Sequence, residues 1–175
     1  MKELIRHLGD RHGDHERGAS AVEFALVAPV FFLLIFGIVD FGLGIWTYNN
    51  LSQAVREGAR YAIVRGAGSD IGEVGPAMEG PITCFPPPAA GSVASKVCEA
   101  AFPLDASKLT VTAEWGCGIL GDPDDCYNDS FLGSNSTGKL MKVSATYVYK
   151  PFLIDLIPVT INLRSTSRMY IACCN

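Results

Sequence analysis

Hydrophobic and polar positions divide this chain into three regimes. Residues 1–18 are polar and short of any apolar period. From Phe24 to Trp46, 23 consecutive residues carry one charge, Asp40; as a helix they would measure roughly 34 Å, enough to cross the hydrocarbon core of a bilayer. A secretory signal has a shorter apolar region, about 7 to 15 residues, and a core helix rarely stays apolar on every face for so long. Beyond Trp46 the period becomes helical and one-sided. Leu51, Ala54, Val55, Ala59, Ala62 and Ile63 recur on one face, while Ser52, Gln53, Arg56, Glu57 and Arg60 take the other. Residues 19–65 therefore predict one helix of roughly 70 Å, apolar over 24–46 and amphipathic over 47–65, with Gly66 and Gly68 to end it.

After residue 66 the pattern changes to period two. Leu109, Val111, Ala113 and Trp115 share one strand face; Val143, Ala145, Tyr147 and Tyr149 share a second; Val159, Ile161 and Leu163 begin a third that extends towards Met169 and Ile171. These predict an antiparallel sheet with one apolar face. The amphipathic half of the long helix is the sizeable cover available to it. The expected fold is α+β: a long N-terminal helix, transmembrane and then amphipathic, packed on a small antiparallel sheet. The intervening stretch, 66–108, is rich in Gly, Pro and Ala, with a short helix expected over 93–101 and Cys98 on it.

Within the long helix, Pro29 removes one backbone hydrogen bond and should kink it locally. Gly37, Gly42 and Gly44 leave shallow places where another helix can approach, although simple tolerance of glycine in a membrane helix accounts for them equally well.

Length and charge limit the rest. The 110 residues after position 65 suffice for one small domain. The net charge is −4, and 11 acidic against 7 basic side chains from residue 66 onward leave no basic patch for nucleic acid. Positive charges flank the apolar run almost evenly, so they do not set its orientation. The cysteines do better: Cys84, Cys98, Cys117, Cys126, Cys173 and Cys174 all follow the run, as befits a small domain in an oxidising compartment. Nearest-neighbour pairing suggests Cys84 with Cys98 and Cys117 with Cys126, and leaves Cys173 and Cys174 open.

The entrance to the apolar run carries its own chemistry. Gly18 follows Arg17, and Glu23 lies five residues later at the mouth of the run, where an unpaired carboxylate is expensive. This arrangement resembles the processing site of type IV prepilins, which a membrane peptidase cuts after the glycine. The resemblance implies a mature chain beginning at Ala19, whose amine, or a neighbour's, pairs with Glu23 during assembly. The longer pattern is similar to the TadE-like family, the pseudopilins of tight-adherence pilus systems. It is carried by Val22, Glu23, Phe24, Ala25, Pro29, Asp40, Phe41, Gly42, Asn49, Glu57, Gly58, Ala59 and Arg60, with a weaker likeness in the closing strands.

That resemblance implies a type IV pilin-like fold, a single-pass protein of the bacterial inner membrane, and a domain in the periplasm or outside the cell. It implies as partners a prepilin peptidase, other pilins or pseudopilins, and the inner-membrane assembly platform. The main fibre subunits of these systems resemble short, nearly all-helical chains with Tyr after the glutamate. Phe24 and the folded domain make this chain resemble a minor subunit. The domain boundaries on this reading are a leader over 1–18, the long helix over 19–65, and an extracytoplasmic domain over 66–175. The leader balances four basic against four acidic side chains, whereas prepilin leaders tend to be basic.

Catalysis and cofactors find little support. His7, His12 and His15, the three histidines of the chain, all lie before Gly18, so cleavage would remove Ser-His and Cys-His dyads and every imidazole metal ligand. Asp122, Asp124, Asp125 and Asp129 form an oxygen-rich loop, but its spacing fits no EF-hand, and a solvated, disulfide-closed turn is expected. Asn128 and Asn135 begin sequons that matter only where a glycosylation machinery exists. No phosphate-binding glycine loop and no Cys-x-x-Cys pair is present, and no cofactor or metal is expected. Two other classes fit in part: an uncleaved, membrane-anchored binding module, and a thiol enzyme using Cys173 and Cys174, whose pKa nothing obvious would lower.

Overall fold

A computed structural model describes residues 12–66, 72, 79–117, 138–151 and 160–172. Helix α1 runs from His12 to Ile63 and continues through Pro29. It is followed by strand β1 (Glu79–Thr83), helix α2 (Val93–Ala100), a 3₁₀ turn (Ala106–Lys108), and strands β2 (Leu109–Cys117), β3 (Leu140–Tyr149) and β4 (Ile161–Tyr170). The chain divides into two compact units, Met1–Gly42 and Leu43–Asn175.

In the second unit the strands form one antiparallel sheet in the order β1-β2-β3-β4. Three of these strands follow from the period-two pattern, and the fourth, β1, does not. Its sequence Glu-Gly-Pro-Ile-Thr carries two residues that normally interrupt strands. They are tolerated at a sheet edge, where proline costs no ladder bond, and the register shifts between Glu79 and Ile82 to accommodate them. Gly80 sits at φ +146°, with the Thr112 Cα 2.9 Å from the place a Cβ would occupy. A side chain there would run into the neighbouring strand.

The core lies between the sheet and the C-terminal part of α1. Leu51, Ala54, Val55, Ala59 and Ala62 are fully buried, as are Leu109, Val111, Ala113, Trp115, Met141, Val143 and Ala145. The helix places them together because positions three and four apart share a face, and the strands because alternate residues do. Leu163 and Met169 on β4 are half-buried against this core. Gln53, Arg56, Glu57 and Arg60 are exposed, as the helical period requires. Ser52 differs. It stands at the flank of the buried stripe, half-buried, with its hydroxyl 3.1 Å from that of Ser165 on β4.

The outer face of the sheet is polar. Lys142 and Glu114 pair across β2 and β3 at 2.8 Å, and the hydroxyls of Ser144 and Thr166 meet at 3.2 Å. Helix α2 begins with Ser92, whose side chain accepts a hydrogen bond from the Ser95 amide at 3.0 Å, the usual way an orphan donor of the first turn is satisfied. It buries Val93, Ala94, Ser95 and Val97. A disulfide between Cys84 and Cys98 joins it to the end of β1, with Cα atoms 5.7 Å apart.

Candidate assembly site

The sequence singles out two stretches of α1. The first contains Gly18, Ala19 and Glu23, all exposed and all helical. Nothing lies within 4 Å of the place a Gly18 Cβ would occupy. Ala19 and Glu23 are four residues apart in a helix, so they lie on one face, a turn from each other. In the same unit Phe24, Leu26, Val30, Phe31 and Leu33 are exposed. The most apolar window of the helix, near the N-terminus, has none of its residues buried. A surface this apolar is not stable in water; one long apolar helix fits single-pass anchoring in a membrane.

Asp40 lies 17 residues beyond Glu23, about 26 Å along the helix axis. It is half-buried and takes part in a polar or electrostatic interaction within the chain. The glycines of the span divide. Gly37 and Gly42 face open space, whereas the notch at Gly44 is filled from within the chain by the Tyr149 ring, 3.7 Å from the place of its Cβ.

The second stretch is the Glu57-Gly58-Ala59-Arg60 run. Ala59 is buried in the core, and Glu57 and Arg60 are exposed. Gly58 is where α2 crosses α1. A Cβ on Gly58 would overlap the Val97 Cγ2 methyl and stand 3.6 Å and 3.7 Å from Val97 Cβ and Val93 Cγ1. Sequence reasoning placed Gly58 in the family pattern without assigning it a role; its buried neighbours on the same face are the signal that marks it. One turn on, the Tyr61 hydroxyl donates to the Gly91 carbonyl at 3.0 Å, and the Arg65 guanidinium lies 4.3 Å from the centre of the Tyr61 ring. These contacts tie the loop before α2 to the end of α1.

Of the cysteines, Cys84 and Cys98 form the disulfide that nearest-neighbour pairing suggests. Cys117 ends β2. Cys126, Cys173, Cys174 and the acidic loop over 122–129 lie outside the described residues, as do Asn128, Asn135, His7 and Val159.

A long N-terminal apolar helix whose second part packs on a four-stranded antiparallel sheet is an α+β arrangement like that of type IV pilins. Residues 18–60 match the family model described as TadE-like protein. The match begins at the glycine proposed from sequence as a cleavage point and ends at the arginine of the Glu-Gly-Ala-Arg run. No curated protein and no solved structure matches the chain.

Proposed function

We propose that this chain is a minor pilin-like subunit of a tight-adherence pilus or secretion apparatus, cut after Gly18 by a prepilin peptidase and assembled through its apolar helix. The observation that carries this reading is the TadE-like match over residues 18–60, which covers Gly18, Glu23 and the whole exposed apolar surface of α1. Before cleavage the helix anchors the protein in the inner membrane as a single span, with the disulfide-bonded unit on the oxidising side. Cleavage frees the Ala19 amine one helical turn from Glu23. A carboxylate at the mouth of an apolar run is stabilised by a positive partner, and the amine of the same chain or of its neighbour supplies one. Glu23 thereby sets the register of a subunit against the next, and the remaining partners are other pilins and the inner-membrane assembly platform. Asp40, at the other end of the span, meets a polar group on a neighbouring pilin or platform helix. The chain acts as a substrate and a building block, and no enzymatic step is assigned to it.

Intact mass of the membrane-extracted protein tests the reading directly. In cells bearing the peptidase the mature chain is expected to begin at Ala19, and Gly18→Leu is expected to block processing. A wild-type chain that keeps Met1 to Gly18 in such cells refutes the pilin assignment and favours an uncleaved, anchored binding module.

A further inference from the structure

A four-stranded sheet has two edges, and here they are built differently. Strand β1 is five residues long, holds Gly80 and Pro81, and shifts register against β2. Short length, proline and irregular register are the ordinary means of keeping further strands off an edge. Strand β4 has none of them. Its ten residues, free of Pro and Gly, pair with β3 in one continuous register, from Ile161 opposite Tyr149 to Tyr170 opposite Leu140. Among the described residues no strand lies on its other side. Every residue of β4 keeps solvent exposure, whereas β3, equally long, buries Met141, Val143, Ser144, Ala145 and Tyr147. A strand open along one side presents a row of backbone donors and acceptors to whatever can pair with them.

Charge of one sign borders this open side. Arg164 and Arg168 are exposed and four residues apart, so they share the polar outer face of the sheet. Arg168 stands directly opposite Lys142 of β3. On the inner face the border is α1. The hydroxyls of Ser52 and Ser165 meet there, and further along the Ala172 amide donates to the Ile63 carbonyl, so helix and strand run in the same direction. Arg56 lies one turn beyond Ser52 on the same flank and is exposed. Strand β4 itself contains no Asp or Glu. A second copy of β4 would bring its own arginines to this border, and like charges facing one another across strands repel. On the inward row Leu163 and Met169 are only partly covered, which leaves apolar surface for a neighbour's side chains.

We propose that β4 is a docking edge for an extended, acidic segment of a partner protein, which adds to the sheet as a further strand. Carboxylates on the outer row of the incoming strand face Arg164 and Arg168, and apolar side chains on its other row lie against Leu163 and Met169. In strand addition the main-chain hydrogen bonds supply the attachment and the alternating side chains the selectivity. The basic border favours an acidic strand over a second copy of this chain. The open backbone favours a peptide over other anions, since neither a nucleic acid nor a lipid headgroup can continue a β-ladder. Only the Leu43–Asn175 unit takes part, and neither the bilayer nor cleavage at Gly18 enters.

The test titrates the isotope-labelled full chain, in uncharged detergent micelles, with the capped peptide Thr-Val-Glu-Val-Thr-Val-Glu-Thr, whose two carboxylates repeat the spacing of Arg164 and Arg168. Amide resonances along Ile161–Tyr170 are expected to shift, with nuclear Overhauser contacts between the peptide backbone and β4, while those of Glu79–Thr83 at the other edge stay in place. A peptide with lysine at both glutamate positions is expected not to bind. The same acidic sequence N-methylated throughout, which keeps the charge and removes the ladder bonds, is also expected not to bind. Arg164→Ser with Arg168→Ser should weaken the parent peptide about tenfold; both side chains are exposed, so an unchanged spectrum of the free variant shows that the fold is kept. No shift along β4 overturns the proposal. So does a lysine or N-methylated peptide that binds as well as the parent, and so does an affinity that the double variant leaves unchanged.

Discussion

Gly58 offers the sharpest test of how the folded unit is held together. In an open helix, replacing glycine by alanine stabilises by about 1 kcal/mol, because alanine loses less backbone freedom on folding. At Gly58 the sign should reverse. The new methyl would overlap the Val97 Cγ2 methyl, closer by more than about 1 Å than the 3.5 to 4.0 Å at which carbon atoms pack best. Val97 is fully buried, and a helical valine has essentially one rotamer, so the side chain cannot swing aside. Helix α2 would have to lift instead, yet the next residue is Cys98, clipped to Cys84. Overpacking of this kind costs about 1 to 3 kcal/mol; against the propensity gain, Gly58→Ala should destabilise by about 1 to 2 kcal/mol. Val97→Ala alone removes two buried methyl groups and should cost about 2 kcal/mol. The double variant places one methyl in the space vacated by the other, so its cost should fall short of the sum by about 1 to 2 kcal/mol. Urea unfolding of the full chain in micelles, in a Trp46→Phe background with the buried Trp115 as reporter, measures all three. A neutral or stabilised Gly58→Ala, or strict additivity in the double variant, would refute the reasoning.

Three further predictions follow from other residues. Glu23→Ala should leave cleavage and membrane insertion intact yet keep the subunit out of the fibre, as scored by its recovery in sheared pili; wild-type recovery would count against the pairing of Glu23 with an N-terminal amine. Replacing Cys84 and Cys98 by serine should cost about 3 kcal/mol in unfolding experiments, from the loop that the disulfide closes, and finding both thiols alkylatable in the native protein would contradict the bond. Asp105 caps the 3₁₀ turn before β2. The Ser107 hydroxyl and amide donate to its Oδ1 at 2.7 Å and 3.0 Å, and the Lys108 ammonium stands 3.1 Å from Oδ2. The Ser107 hydroxyl bond first, then Lys108, holds its carboxyl at about 2, below the usual 3.8. Because the folded value is depressed, the stabilisation from this cap is fully present above the unfolded value and is lost as pH falls through about 2; a carboxyl carbon titration by NMR with its midpoint near 4 would remove the cap as described.

What the linear sequence determined here is whatever depends on period. The run of apolar residues from Phe24 to Trp46, the one-sided stripe from Leu51 to Ile63, and the alternation from Leu109, from Val143 and through Leu163 each settle an element and its inward face, because side-chain direction repeats every 3.6 residues in a helix and every two in a strand. The TadE-like pattern was legible for the same reason: its residues are local and closely spaced. Tertiary structure decided what depends on which elements meet. Strand β1 hid behind Gly80 and Pro81, residues that read as a break until the edge position and the close approach of Thr112 are known. Gly44 and Gly58 look alike in the sequence, but one is filled by Tyr149 at ordinary contact distance and at the other a Cβ would overlap the Val97 Cγ2 methyl. Ser52, placed by its period on the polar side, stands at the flank beside Ser165. The Cys84–Cys98 disulfide and the Ser52–Ser165 contact join residues far apart in sequence, since a contact between distant residues is set by the packing of whole elements.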